Sequence, residues 1–529
     1  MNTRRAVGGV VGLAILLGVA YVVRPWLQWL VYGLYTTPIA WVFVPVGLAA
    51  VAYFGVSFES RGANRPLGIA LGLVVVAVIV LTSVGGLYAQ TTLADRTMAG
   101  ATPTQGLSPA DADHPRVVTR NVSDNYAANT LQLSRYRVSN PDVTFRNGTP
   151  YWSYALSPDG VRNHFALKQD GTVLVNMSAQ NAKVETVRGE LDAGIGTAWY
   201  NNYRWSVLKQ GQYLVDYGDP FMVPHRNESY IAVPYTKPSF HVRALPVPLP
   251  YTVPEWGGVA LVAPDGSVTD LSPAEARSNP VLRGQKLVPF DLTRERVTAT
   301  KYRNGILNTL PVVGSHTDEI EVAATPGSGN EQPYLVPTAD GTKYVVAVEP
   351  FGNAQGLREV WEIDGRTGEA SVYRSPSGES LFGPRKAADY VRQASRTTDW
   401  NRFSPAEPLP VAVDDRLYWM VKVVPEGGSG ISYVAFVNAE SSNVQETAST
   451  AAVEEFLRGN RSAAQSVRDG GPNASTGGPR NETVAGGNVS LVVEKRAPNG
   501  SVVATMTVYE NESVSIEPAR NGTNATATE

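Results

Sequence analysis

Apolar positions follow one rhythm in the first ninety residues and another in the rest. Three unbroken apolar runs open the chain: Ala6–Val23, Pro38–Val56 and Leu67–Tyr88. Each is about 18 to 22 residues long. At 1.5 Å per helical residue each can cross a hydrocarbon core of roughly 30 Å. Backbone groups in lipid must pair within their own segment, so the runs read as three transmembrane helices. Beyond residue 117 the pattern shortens to alternating strands, as in "GVALVAPDGSVTDL" from Gly258, broken by Pro, Gly and Asp turns. That period of two is the mark of half-buried β-strands.

The strands repeat. "YWSYALSPDG" at Tyr151 and "YWMVKVVPEGG" at Tyr418 are nearly the same phrase, and looser copies begin at Tyr230 and Tyr344. Each copy reads as strand, turn, strand, tight turn, strand, an antiparallel meander. Helical stretches precede or follow the copies at 122–136, 272–284 and 383–395. In the second, Ser272, Pro273 and Glu275 have the spacing of a capping box with proline at the first helical position. The expected fold class is therefore α+β, mainly antiparallel β. Helix-plus-meander units repeat in an exterior domain that follows the three membrane helices.

The strand pairs "VWEIDGRTGEASVY" (360–373) and "YVAFVNAESSNVQET" (433–447) share an apolar strand, an acidic or Asn residue, a Gly or Ser turn and a closing strand. This pattern resembles the PepSY-like and cystatin-like α+β modules of membrane-anchored exported proteins, over about 60 residues per unit. The resemblance implies a helix packed on a small antiparallel sheet, with a ligand-binding, inhibitory or structural role and no catalysis.

Composition divides the chain further. Residues 1–88 read as the membrane anchor and 89–116, rich in Ala, Thr, Pro and Asp, as a linker. Residues 117–459 read as the exterior β-rich domain of about four units. A Gly/Asn/Ser-rich flexible linker at 460–487 leads to a small β-hairpin element and disordered tail at 488–529. Arg4 and Arg5 before the first run also fit a secretory leader. Arg24-Pro25-Trp26 then stands where a small-residue cleavage site belongs, so the run reads as a retained anchor. Arg4, Arg5, Arg61 and Arg65, against Arg24 alone, place the N-terminus and second loop in the cytoplasm and everything after Tyr88 outside. Trp26, Trp29, Tyr32 and Tyr35 read as an aromatic belt or as a docking surface.

Glycosylation sequons agree with that orientation. They occur at Asn121, Asn147, Asn176, Asn227, Asn460, Asn473, Asn481, Asn488, Asn499, Asn511, Asn521 and Asn524, none before the last apolar run. A tail rich in Asn, Ser and Thr also produces sequons by chance.

The chain has 529 residues, a formal charge of −3 and no cysteine. Disulfides, thiolate metal sites and cysteine nucleophiles are excluded, and the charge gives no reason to expect nucleic acid. The five histidines, His114, His164, His225, His241 and His316, lack metal-ligand spacing, and no nucleophile elbow or P-loop occurs. "DADH" at 111–114, "DYGDP" at 216–220 and "SHTDEIE" at 315–321 gather ionisable groups that turns also explain. No catalytic, cofactor or metal residue is assigned. The expected function is a non-catalytic binding or scaffolding domain on a cell or virion surface. Its partners would be the lipid bilayer and protein or glycan ligands, and an oligomer is compatible with that role. A membrane-tethered envelope hydrolase and an accessory subunit of an export or conjugation machine are the alternatives. The insertion Tyr235–Trp256 is expected to be where a specific partner is read.

Overall fold

The computed structural model describes residues 3–41, 65–130, 134–244, 248–326, 330–352, 356–375, 381–428, 430–466, 489–496 and 502–509. The chain divides into two compact units, Met1–Arg468 and Asp469–Glu529. The second holds one antiparallel pair, β21 (Val489–Arg496) and β22 (Val502–Tyr509).

The first unit is α+β and mainly antiparallel. Its core is four meanders of four strands. The first is β2 (Tyr136–Arg146), β3 (Thr149–Pro158), β4 (Gln169–Asn176) and β5 (Val184–Leu191). The second is β7 (Phe221–His225), β8 (Glu228–Arg243), β9 (Leu249–Val262) and β10 (Val268–Leu271), with β6 (Asp216–Tyr217) also pairing with β8. The third is β12 (Tyr334–Thr338), β13 (Gly341–Pro350), β14 (Glu359–Asp364) and β15 (Ala370–Arg374). On it, β11 (Ile320–Val322) pairs with β13 and β1 (Ala101–Thr104) runs parallel to β15. The fourth is β16 (Phe403–Val413), β17 (Arg416–Pro425), β18 (Tyr433–Asn438) and β19 (Val444–Thr447), extended by β20 (Gln465–Ser466). The strand order of each meander is that of a propeller blade.

The repeated tyrosines Tyr151, Tyr230, Tyr344 and Tyr418 all lie on the second strand of their sheet. Each unit therefore begins one strand earlier than the tyrosine-led phrase. The first two strands are joined by tight turns with left-handed backbone: Asn147-Gly148, Arg226-Asn227 and Asp414-Asp415, with Gly341 (φ 118°) in the third unit. Two successive positive φ values match the right-handed twist of the flanking strands.

Helices cover the sheets. α3 (Arg120–Thr130) lies on the first meander, where Tyr154 OH donates to Asp124 Oδ1 and accepts from Ser123 Oγ, each at 2.8 Å. α4 (Val161–Ala166) contacts β3 of the first meander, and α5 (Tyr203–Gln210) contacts β9 and β10 of the second. α6 (Pro273–Ser278) carries the expected capping box between Ser272 and Glu275. α7 (Phe290–Ala299) contacts the second and third sheets, and α8 (Pro384–Ala394) and α9 (Thr450–Leu457) pack on the fourth. Trp152 donates its indole N–H to the Val118 carbonyl at 3.0 Å, and Trp419 donates to that of Phe382 at 2.9 Å. The Tyr-Trp phrase is thus a packing device.

Two long helices precede the sheets: α1 (Thr3–Tyr35) and α2 (Arg65–Gly100). Among the described residues one helix, Val74–Gly100, is long and apolar enough to cross a membrane, by length and composition. The first apolar run lies in α1. Residues 42–56 of the second lie outside the described residues.

Three expectations need correction. Residues 89–116 are not a linker: the helix continues to Gly100, β1 joins the third sheet, and Ser108 binds the Glu362 carboxylate. The aromatic segment of α1 also packs within the chain, which the belt reading does not include: Trp26 lies edge-on against Trp205 (5.4 Å) and Tyr35 against Phe240 (5.2 Å). The insertion Tyr235–Trp256 is a β-ribbon docked on the chain's own helices. Thr252 Oγ1 donates to the Thr36 carbonyl (2.8 Å), Tyr251 OH bonds Thr92 Oγ1 (2.9 Å), and Arg96 pairs with Glu255 (2.6 Å). Gly257 is skipped in the strand register and makes a bulge opposite Tyr235 and Thr236. A Cβ there would stand 2.5 Å from the Tyr235 ring, so glycine is required.

Candidate functional site

Each meander carries a polar residue followed by proline in or just before its first strand: Asn140-Pro141, Asp219-Pro220, Gln332-Pro333 and Glu407-Pro408. The dipeptides stand eleven or twelve residues before the repeated tyrosine. In the first and fourth sheets they form bulges, with Asn140 at φ 53° and Glu407 at φ 43°. A proline lacks the N–H a ladder needs, so a bulge or a strand's first residue is where it fits.

These strand starts converge. β2 lies against β7, and Asn140 Nδ2 donates to the Pro220 carbonyl at 2.6 Å. Arg116 joins the third and fourth sheets: Nη1 donates to the Leu335 carbonyl (2.8 Å) and Nη2 to Glu407 Oε2 (3.0 Å). The other Glu407 oxygen accepts the Arg120 backbone N–H at 3.0 Å. The Arg116 guanidinium also lies 5.5 Å from the Trp152 ring and 5.3 Å from that of Tyr334. The ion pair is buried, at 2 % and 6 % side-chain exposure. Burial raises the Tyr334 phenol well above its ordinary range, so it stays neutral.

At this convergence is a cavity of about 560 Å³. It is lined by Arg116, Arg120, Asp142, Asp219, Lys286, Arg294 and Glu331, with Trp152, Phe290 and Tyr344 as flat apolar walls. Lys286 pairs with Asp142, and its ammonium lies 4.9 Å from the Phe221 ring. Arg294 pairs with Glu331 at 2.7 Å on the exposed side. Arg116 Nε and Asn330 Nδ2 are buried with no hydrogen-bond partner in the protein. Buried donors are normally paired, so this is a place where a polar ligand or solvent completes the set. Both charge signs, aromatic walls and unpaired donors suit binding of a polar, charge-bearing molecule.

The clusters singled out from sequence fare differently. Asp219 lines the cavity, whereas Asp216 lies on β6. In "DADH", Asp111 accepts the backbone N–H groups of Asp113 and His114 and closes a turn, while Asp113 pairs with Arg458 at 2.6 Å. His316 stacks on Phe351 (4.9 Å) and pairs with Glu319, while Ser315 donates to Asn308. The structure therefore does not assemble Ser315, His316 and Asp318 into one catalytic set.

Among the sequons, Asn147 and Asn227 occupy the equivalent exposed turns of the first two units. Asn460 is exposed, and Asn176 is half-buried, its Oδ1 accepting the Ser178 N–H. Asn121 stands in the first turn of α3. Asn473, Asn481, Asn488, Asn499, Asn511, Asn521 and Asn524 lie outside the described residues. Comparison of the chain with protein-family models, with curated proteins and with solved structures finds no match.

Proposed function

We propose that this chain is a membrane-anchored surface protein whose exterior domain binds a polar ligand in the central cavity. The carrying observation is the convergence of the polar-Pro segments of the first three meanders on a cavity lined by charges of both signs, with Glu407 of the fourth joined to it through Arg116. The anchor in this reading is the set of three N-terminal apolar runs, with the N-terminus cytoplasmic and the sequons outside. The resemblance to PepSY-like and cystatin-like modules points to the same binding role. Protein or glycan groups on a cell or virion surface are the ligand class, because they offer charge together with flat apolar faces.

A glycan array and a peptide array, each probed with the full chain in detergent, test this. Removing the exposed pair with Arg294→Gln and Glu331→Gln, together with Asp219→Asn, is expected to weaken capture at least tenfold without moving the melting temperature. Capture unchanged by those variants would overturn the cavity as the site.

One observation favours the hydrolase reading: Asp142, Asp219 and Glu331 line one cavity. Two of them are neutralised in ion pairs, which leaves Asp219 as the candidate acid or base. Asp219→Asn would then abolish release of reducing ends from envelope polysaccharide while retaining its capture.

A further inference from the structure

Beside α1 the exterior domain presents an apolar surface that its own chain leaves uncovered. Val161, Phe165, Trp199 and Tyr200 are 77, 53, 60 and 67 % exposed. They are contiguous with the anchor: Phe165 and Trp199 rings lie 5.9 Å apart, Trp199 and Trp26 6.3 Å. On α1 itself Val19, Val22, Trp29 and Leu30 are also exposed. One apolar band therefore runs from the helix onto the domain.

Trp199 does not reach this position by relaxed backbone. Its φ is 54°, a left-handed value that costs a bulky residue free energy and persists only where surrounding bonds enforce it. Those bonds are present. The Asn201 carbonyl accepts from Gly194 N (2.7 Å) and Thr197 Oγ1 (2.5 Å), and Ala198 N donates to the His164 carbonyl (2.8 Å). The turn spends this strain on holding an indole outward.

Basic groups border the band. Arg162 shares α4 with Phe165 one turn away, and Arg204 adjoins Trp205 on α5. The Lys209 ammonium lies 3.8 Å from the Tyr21 ring and donates to the Tyr21 carbonyl. Tryptophan and tyrosine beside arginine and lysine are the residues that settle at the headgroup level of a bilayer. Scattered surface apolar residues need no explanation, whereas a contiguous aromatic patch does.

We infer that the domain carries a second membrane contact: Val161, Phe165, Trp199 and Tyr200 rest in the headgroup region of the bilayer that α1 crosses. The occupant is lipid because the patch continues the surface of an apolar helix and is edged by cations. The inference rests on the membrane-anchor reading above, and the test separates the two.

The chain has no cysteine, so single-cysteine variants of the full protein label cleanly. Tyr200→Cys, Ile79→Cys on α2 and Glu440→Cys in an exposed turn are nitroxide-labelled in phosphatidylcholine/phosphatidylglycerol vesicles. Oxygen, which partitions into lipid, is expected to relax the label at 79 severalfold more than a water-soluble nickel chelate does, and to give at 200 an intermediate ratio well above that at 440. The order reverses at 440. A lipid signal at 79 with a water signal at 200 overturns the second contact and leaves the anchor standing. A water signal at 79 removes the anchor and the inference with it. Spin–spin broadening at 200 that vanishes on dilution with unlabelled protein overturns the inference in favour of a second copy. Native Trp199 supplies a check free of labels. The fluorescence difference between wild type and Trp199→Phe should be quenched by lipids brominated near the headgroup, and an unquenched difference overturns the contact.

Discussion

Lys422 sits on β17 with about 1 % of its surface exposed and its Nζ 3.2 Å from the Glu407 carbonyl oxygen. Burial lowers its pKa to about 7, against the attraction of Glu407. Because the folded value is depressed, the unfolded chain holds the proton more tightly between pH 7 and the ordinary lysine range of about 10.4. Wild-type stability should therefore climb as pH rises through that window. Lys422→Met keeps the length and removes the charge. It is expected to stabilise the fold by about 1–4 kcal/mol at pH 7. That advantage should shrink toward pH 10, read as the difference between melting curves of variant and wild type. A variant less stable at pH 7 would mean that the hydrogen bond outweighs the desolvation. Glu407 shows why the site was not legible as sequence. Arg116, Asp142, Lys286, Glu331 and Glu407 are spread over nearly 300 positions, and only the sheet topology brings them together. Asp219 stands inside "DYGDP", where an Asp-Gly turn ahead of proline explains it equally well, and only the fold separates it from Asp216 by bringing it to the cavity.

At the scale of elements, the second strand of each meander was readable because alternation and tyrosine mark it. The first strand was not. "NPDVTF", "DPFMVP", "QPYLVP" and "EPLPVA" carry proline, which ordinarily demotes a strand. Here bulges and strand starts accommodate it, and the polar residue before each proline is the repeat's most regular feature. The linker reading of 89–116 failed for a related reason. Small and polar residues rank low in local pattern, but Leu93 and Ala94 are buried against Tyr251, Val253 and Ala299, and that packing sustains the helix. The turns offer a direct test. Asp414 and Asp415 hold φ 48° and 59°, adjacent and of like charge. Glycine adopts that backbone without a Cβ penalty of about 1–2 kcal/mol. Asp415→Gly is expected to stabilise the protein by about 1 kcal/mol, seen as a higher denaturation midpoint, and an unchanged midpoint would show the turn to be unstrained.

On the scale of the whole first unit, the β-rich domain does not hang from a tether. The ribbon of β8 and β9 is bonded to α2 and to Thr36 at the end of α1, and α1 is bonded to α5 through Arg24 and the Leu208 carbonyl and to the segment before β6 through Gln28 and the Val215 carbonyl. A chain with Thr36→Cys and Thr252→Cys should form one rapid intramolecular link with a short bis-maleimide. A domain swinging on a stalk would link slowly or between chains. α2 shows what such a joint does under tension. Its 36 residues make a rod of about 54 Å that passes into β1 with no intervening loop. β1 lies parallel to β15 from Ala101–Ala370 to Thr104–Tyr373. A pull along α2 would therefore reach the third sheet as shear shared across the whole strand, and not as peeling of one hydrogen bond at a time. The strand works as a mechanical splice, and the domain would yield elsewhere before it came off its rod.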